Sequence, residues 1–119
     1  MNPSWIEYKS KSIIYFDYRG VNDTLESLRI LRNGFELIMR SDGKALILQN
    51  FEGAVANDEY MAEVKKLGKT AREKVKKNAC VGITGIKRLL LQAYVAFSGE
   101  KTLRTFETEE GAKEWLVQE

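Results

Sequence analysis

The chain has 119 residues, 44% of them hydrophobic and 30% charged, which is enough to build one core without disulfides or a structural metal. Its formal net charge of +2 is lower than a dedicated nucleic-acid binder carries. With no histidine and one cysteine it has no Ser-His or Cys-His base pair, no imidazole metal ligand, no intrachain disulfide and no thiolate zinc cluster.

Two short segments, 5–9 and 12–18, open the chain, and their β-branched and aromatic residues predict the strands of an antiparallel hairpin. Arg19-Gly20-Val21-Asn22-Asp23 breaks the run, and Asp23 followed by Glu26 marks a helix start. Leu25, Leu28, Leu31, Phe35, Ile38 and Met39 then follow helical spacing. Asn33-Gly34 interrupts them, so two readings stand. One helix running through Gly34 is favoured, because the spacing persists. The alternative ends the helix there and makes 35–40 a strand. A mid-helix glycine costs about 1 kcal/mol relative to alanine, which a packed face can offset.

Residues 44–49 form a short apolar run typical of a buried strand, and 50–56 read as a loop. Asn57 caps a helix expected to reach about residue 77, with Met61, Val64, Gly68, Ala71 and Val75 as its apolar stripe. Residues 79–84 predict another buried strand, Gly85 leads into a helix over 86–98, and 102–106 predict the last strand. Thr108 caps a final helix carrying Ala112, Trp115 and Leu116. The alternation predicts one α/β domain over residues 1–119. It has a mixed, mostly parallel sheet of about five strands flanked by about four helices.

Three stretches carry a family resemblance: Ile14-Tyr15-Phe16-Asp17-Tyr18-Arg19-Gly20, Lys76-Lys77-Asn78-Ala79-Cys80-Val81-Gly82-Ile83-Thr84-Gly85, and Phe106 with Ala112-Lys113-Glu114-Trp115-Leu116. With the element order, they make the chain similar to the bacterial SpoIIAA-like family, which is grouped with STAS domains and the lipid-binding CRAL-TRIO domains. The resemblance implies a mixed sheet flanked by helices and a small binding or regulatory module with no defined reaction. Anti-sigma-factor antagonists of the STAS group carry a phosphorylated serine where the loop after a central strand enters a helix. The corresponding stretch here, Asn50-Phe51-Glu52-Gly53-Ala54-Val55-Ala56-Asn57-Asp58, has no Ser or Thr, so that phospho-switch is expected to be missing.

Four constellations are candidates for function. Gly82-Ile83-Thr84-Gly85-Ile86-Lys87-Arg88 sits at a strand-to-helix junction. There Thr84, Gly85, Lys87 and Arg88 offer a hydroxyl, close backbone approach and charge to an anion or lipid phosphate. The same residues also read as packing glycines, a cap and solvated bases. The helix over 86–98 is apolar all round, so Leu91 and Val95, with Tyr94, are candidate contacts for a second copy of the chain or a protein partner, with cover by another part of the chain itself an equal reading and lipid a third. The basic run 64–77 holds seven Lys and Arg against one acid, while the tail 107–119 holds five acids and one lysine, so the molecule is electrically polarised. The run can meet an acidic partner, anionic lipid or nucleic acid, or stand as a solvated face, and it lacks interleaved aromatics for base stacking, which disfavours nucleic acid. Last, Asp17, Asn50 and Glu52, with Asp58 and Glu59, gather polar groups near inferred strand ends, where two carboxylates can serve as acid and base.

No cofactor or metal is implied. Residues 1–7 lack a signal-peptide pattern, and the longest apolar stretch, 89–97, is too short for a bilayer span of about 20 residues. A cytoplasmic protein with reduced Cys80 is expected. The functional expectation is a non-enzymatic binding or regulatory module. The alternative is a carrier of lipid or small amphiphiles, which needs an interior pocket of roughly several hundred Å³.

Overall fold

The computed structural model describes residues 1–85, 88, 91 and 102–118. Of the helix expected over 86–98, only Arg88 and Leu91 are among them; Lys87, Tyr94 and Val95 lie outside the described residues. In chain order the elements are β1 (Ser4–Tyr8), β2 (Lys11–Asp17), α1 (Thr24–Arg40), β3 (Ala45–Asn50), α2 (Asp58–Ala71), a 3-10 turn (Arg72–Lys74), β4 (Val75–Val81), β5 (Leu103–Phe106) and α3 (Glu109–Val117).

The five strands form one sheet in the order β1-β2-β3-β4-β5, with β1 antiparallel to β2 and the other neighbours parallel. Fold class and strand number follow the sequence reading. The period of two in the strands splits the core. Ile13, Leu46, Leu48, Ala79 and Val81 meet Ala112 and Leu116 of α3 on one face. Ile14, Phe16, Ile47, Val75 and Cys80 meet Leu28, Ile30, Leu31 and Ile38 of α1 and Tyr60 and Ala71 of α2 on the other. Parallel strands covered on both faces carry continuous apolar runs, which is why 44–49 was legible. No helix among the described residues is long and apolar enough to cross a membrane.

The favoured reading of residues 35–40 holds: they close α1, a single helix of 17 residues. Gly34 lies in its middle for a packing reason, since a Cβ there would stand 2.0 Å from the Phe16 ring. The buried arc differs from the expected stripe. Ser27, Ile30 and Gly34 are buried, whereas Leu25 is 75% exposed and Met39 39% exposed. Asp23 caps α1 through Leu25 N–H, and Glu26 pairs with Arg29 instead of reaching back to the cap.

The junction after α2 needs a larger correction. The helix ends at Ala71, not near residue 77, and the strand expected over 79–84 occupies Val75–Val81. Val75 continues the i, i+4 pattern of Ala71, which made it read as helical. It is held instead in the ladder opposite Ala45, and Lys76 is the extra residue at the register shift before Lys77 pairs with Leu46. Lys77 then acts structurally, because its ammonium donates to the Trp115 and Gln118 carbonyls at the end of α3 and lies over the Trp115 ring. The N-terminus is tied in as well: Pro3 is buried, and the Asn2 side chain pairs with both backbone groups of Asp17.

Candidate functional site

The C-terminal ends of β2, β3 and β4 were the first place to seek a ligand. In open α/β sheets that place is a crevice where the strand order reverses. Here the order runs without a reversal, and α1 and α2 lie together on one face, joined by Arg32 to Glu63 at 3.0 Å and Asn57 to Thr24 at 2.5 Å. The loops themselves close the strand ends. Gly20 N–H donates to Glu52 O, Val55 N–H to Val21 O and Phe51 N–H to Val81 O. Gly82, at φ 82°, brings its Cα against the backbone of Phe51 and Glu52.

The polar residues expected there are brought together but engaged with one another. Asp17 and Asn50 face each other in the ladder. Asp17 is gripped by Arg19 through two guanidinium bonds at 2.9 Å and one backbone N–H at 3.1 Å, and this pairing holds its carboxyl below the usual range. Asn50 donates to Glu109 at 2.6 Å and accepts from Glu52 N–H at 3.0 Å. Tyr15 donates to the same Glu109 oxygen. Glu52, Thr84, Gly85 and Arg88 are exposed, as are Asp58 and Glu59 in the first turn of α2.

Glu109 was not singled out in the sequence, yet it joins the first turn of α3 to β2 and β3. Burial raises its carboxyl, but bonds from Tyr15 and Asn50 and the charges of Lys113 and Arg19 together hold it below the ordinary value of 4.5. A lowered folded value gives stability that is complete above the unfolded value and is lost as pH falls through the folded one. The urea midpoint is therefore expected to drop between about pH 7 and about pH 3.5. Glu109→Gln is expected to lose about 1 kcal/mol at neutral pH and to show a smaller acid drop. Equal acid drops in both proteins would remove Glu109 from that role.

Open space lies elsewhere, between the sheet and α2. One cavity of about 70 Å³ is lined by residues including Phe16, Ile47, Gln49, Val64, Leu67 and Asn78. A second, of about 60 Å³, is lined by residues including Gln49, Tyr60, Val64, Asn78, Cys80 and Leu91. Both share Gln49, Val64 and Asn78, and among the described residues no charged side chain lines either. On this otherwise apolar face two amides stand together. Gln49 donates to Asn78 Oδ1 at 2.9 Å and lies 3.8 Å from Cys80 Sγ. That leaves the Gln49 carbonyl and the Asn78 amide hydrogens as an adjacent acceptor and donor. Behind the second cavity, the Tyr18 ring stacks on Phe51 at 4.7 Å and meets Tyr60 edge-on at 5.6 Å. Its hydroxyl is buried beside the Tyr60 side chain, and burial raises that phenol well above its usual value.

Sequence reasoning missed Gln49, Asn78, Tyr18 and Tyr60. The available signal was an amide at an inward position of each of two apolar strands. Leu91, expected to be covered either by a second copy or by the chain itself, packs against the core cluster and lines the second cavity. No family model, no curated protein and no solved structure matches the chain.

Proposed function

We propose that this protein is a non-enzymatic binding module of the SpoIIAA-like kind whose ligand seat is the space between α2 and the β3–β4 face. The observation that carries the reading is the Gln49–Asn78 amide pair inside an uncharged, apolar lining. Such a seat suits a small neutral molecule with an apolar body and one carbonyl, hydroxyl or amide end, because a buried charge would find no countercharge among the described lining residues. The self-engaged strand-end residues support binding over catalysis: Arg19 occupies Asp17, and Asn50 and Tyr15 occupy Glu109.

The size of the seat bears on the carrier alternative. An apolar cavity of about 150 Å³ admits one benzene, and each cavity here is smaller. They fit a short chain or small branched group, and a long acyl chain would require α2 to move away from the sheet. A regulatory role without phosphorylation fits the loop 50–58, which offers no hydroxyl. Mass spectrometry of small molecules retained by the purified protein tests the reading. The expected result is a neutral, mostly apolar compound that Asn78→Leu no longer retains. Identical profiles from the two folded proteins would contradict it.

A further inference from the structure

At the end of the sheet opposite the closed loops, cations from separate segments converge. α1 ends at Arg40, the turn into β3 supplies Lys44, and α2 with its 3-10 turn supplies Lys69, Arg72 and Lys74. Lys76 follows at the register shift of β4. Lys74 Nζ donates to Ser41 O at 2.7 Å and Val75 pairs with Ala45, so these segments form one surface. Arg40, Lys44, Lys69, Arg72 and Lys76 are exposed, and the acids nearby include Asp42, Glu73, Glu36 one turn before Arg40 and, on the flank, Glu7. Trp5 of the edge strand β1, 45% exposed, shares a shallow bay of about 370 Å³ with Arg40, Asp42 and Lys44. Met39, beside Arg40, is 39% exposed.

The opposite end carries the acids that open the helices: Glu26, Asp58, Glu59, Glu109 and Glu110. Helix dipoles favour acids at helix starts and bases at helix ends. They do not account for Lys44 and Lys76, which lie outside helices, or for the exposed indole.

We propose that this basic end docks on an anionic lipid surface. Its cations spread across one end of the molecule rather than along a track, and Trp5 and Met39 add apolar side chains that a headgroup layer accepts. A single-stranded nucleic acid would call for a row of stacking rings beside the charges, and the described surface offers one indole. The acidic opposite end orients the molecule with this surface toward a negative plane.

Flotation with phosphatidylcholine vesicles, with and without about 30% phosphatidylserine, tests the proposal. The intact chain is expected to float with the anionic vesicles at low salt and to be released at high salt. Arg40→Gln with Lys44→Gln is expected to weaken binding about 25-fold, at roughly fivefold per cation. Trp5→Ser is expected to weaken it without changing the salt dependence. Circular dichroism confirms that each variant is folded. Equal binding to neutral vesicles, binding unchanged by the double substitution, or tighter binding to a single-stranded oligonucleotide at the same salt would each overturn the proposal.

Discussion

Gly82→Ala is expected to destabilise the protein by roughly 3–5 kcal/mol, a large part of the roughly 5–15 kcal/mol that holds a domain together. Two costs combine. Gly82 has φ 82°, a conformation that costs a residue with a Cβ roughly 1–2 kcal/mol. The added carbon would also stand 2.4 Å from Glu52 N and 2.8 Å from Glu52 Cα. Those are backbone atoms, so no rotamer change relieves the clash, and the hydrogen bond from Phe51 to Val81 is strained with it. Gly20→Ala separates the two costs, because Gly20 has φ 70° and open space around its Cβ position. It is expected to lose only the conformational part, about 1–2 kcal/mol. Urea unfolding of both variants is the check. Equal losses would mean that the loop closure over the strand ends is not as tight as described.

Gly34→Ala is expected to destabilise by about 1–3 kcal/mol, although alanine in place of a mid-helix glycine normally stabilises by about 1 kcal/mol. The reversal comes from Phe16, whose ring atoms lie 2.0 and 2.1 Å from where the methyl would sit. The ring cannot swing away freely, being 2% exposed and stacked 6.2 Å from Tyr18. In a Phe16→Leu background the same substitution is expected to become neutral or stabilising. A stabilising effect in the unaltered protein would show that α1 sits farther from the sheet.

These two glycines also show what a single sequence can and cannot reveal. Gly82 read as a packing glycine inside a strand over 79–84, whereas the strand ends at Val81 and Gly82 turns the chain against Phe51 and Glu52. Gly34 read as a cost within a helix, because its partner, Phe16, is 18 positions away and belongs to another element. The two-residue period of the strands and the caps at Asp23, Asn57 and Thr108 are local, and they emerged where expected. The end of α2 did not, since Val75 satisfies a helical stripe as well as a strand. Only its pairing with Ala45 decides between them.

The candidate site divides the same way. Asp17, Asn50 and Glu52 were read at strand ends, where the structure has them, because strand ends follow from element order. The engagement of Asn50 was hidden, because Glu109, itself held by Tyr15, reaches it from 59 positions away, whereas the Arg19 grip on Asp17 is local. The amide pair depends on register: Asn78 lies opposite Ile47 and Gln49 opposite Cys80, which puts the two amides diagonally across one face of the sheet.

The most direct test of this account is an NMR titration with a series of straight-chain amides from butanamide to hexanamide, following the side-chain NH₂ signals of Gln49 and Asn78. The account predicts saturable shifts at those two groups. Affinity should rise about fourfold for each added methylene until the space is filled, from about 0.8 kcal/mol per buried CH₂. It also predicts that Asn78→Leu abolishes the response. Shifts confined to the strand-end loops, or an affinity that ignores chain length, would contradict it.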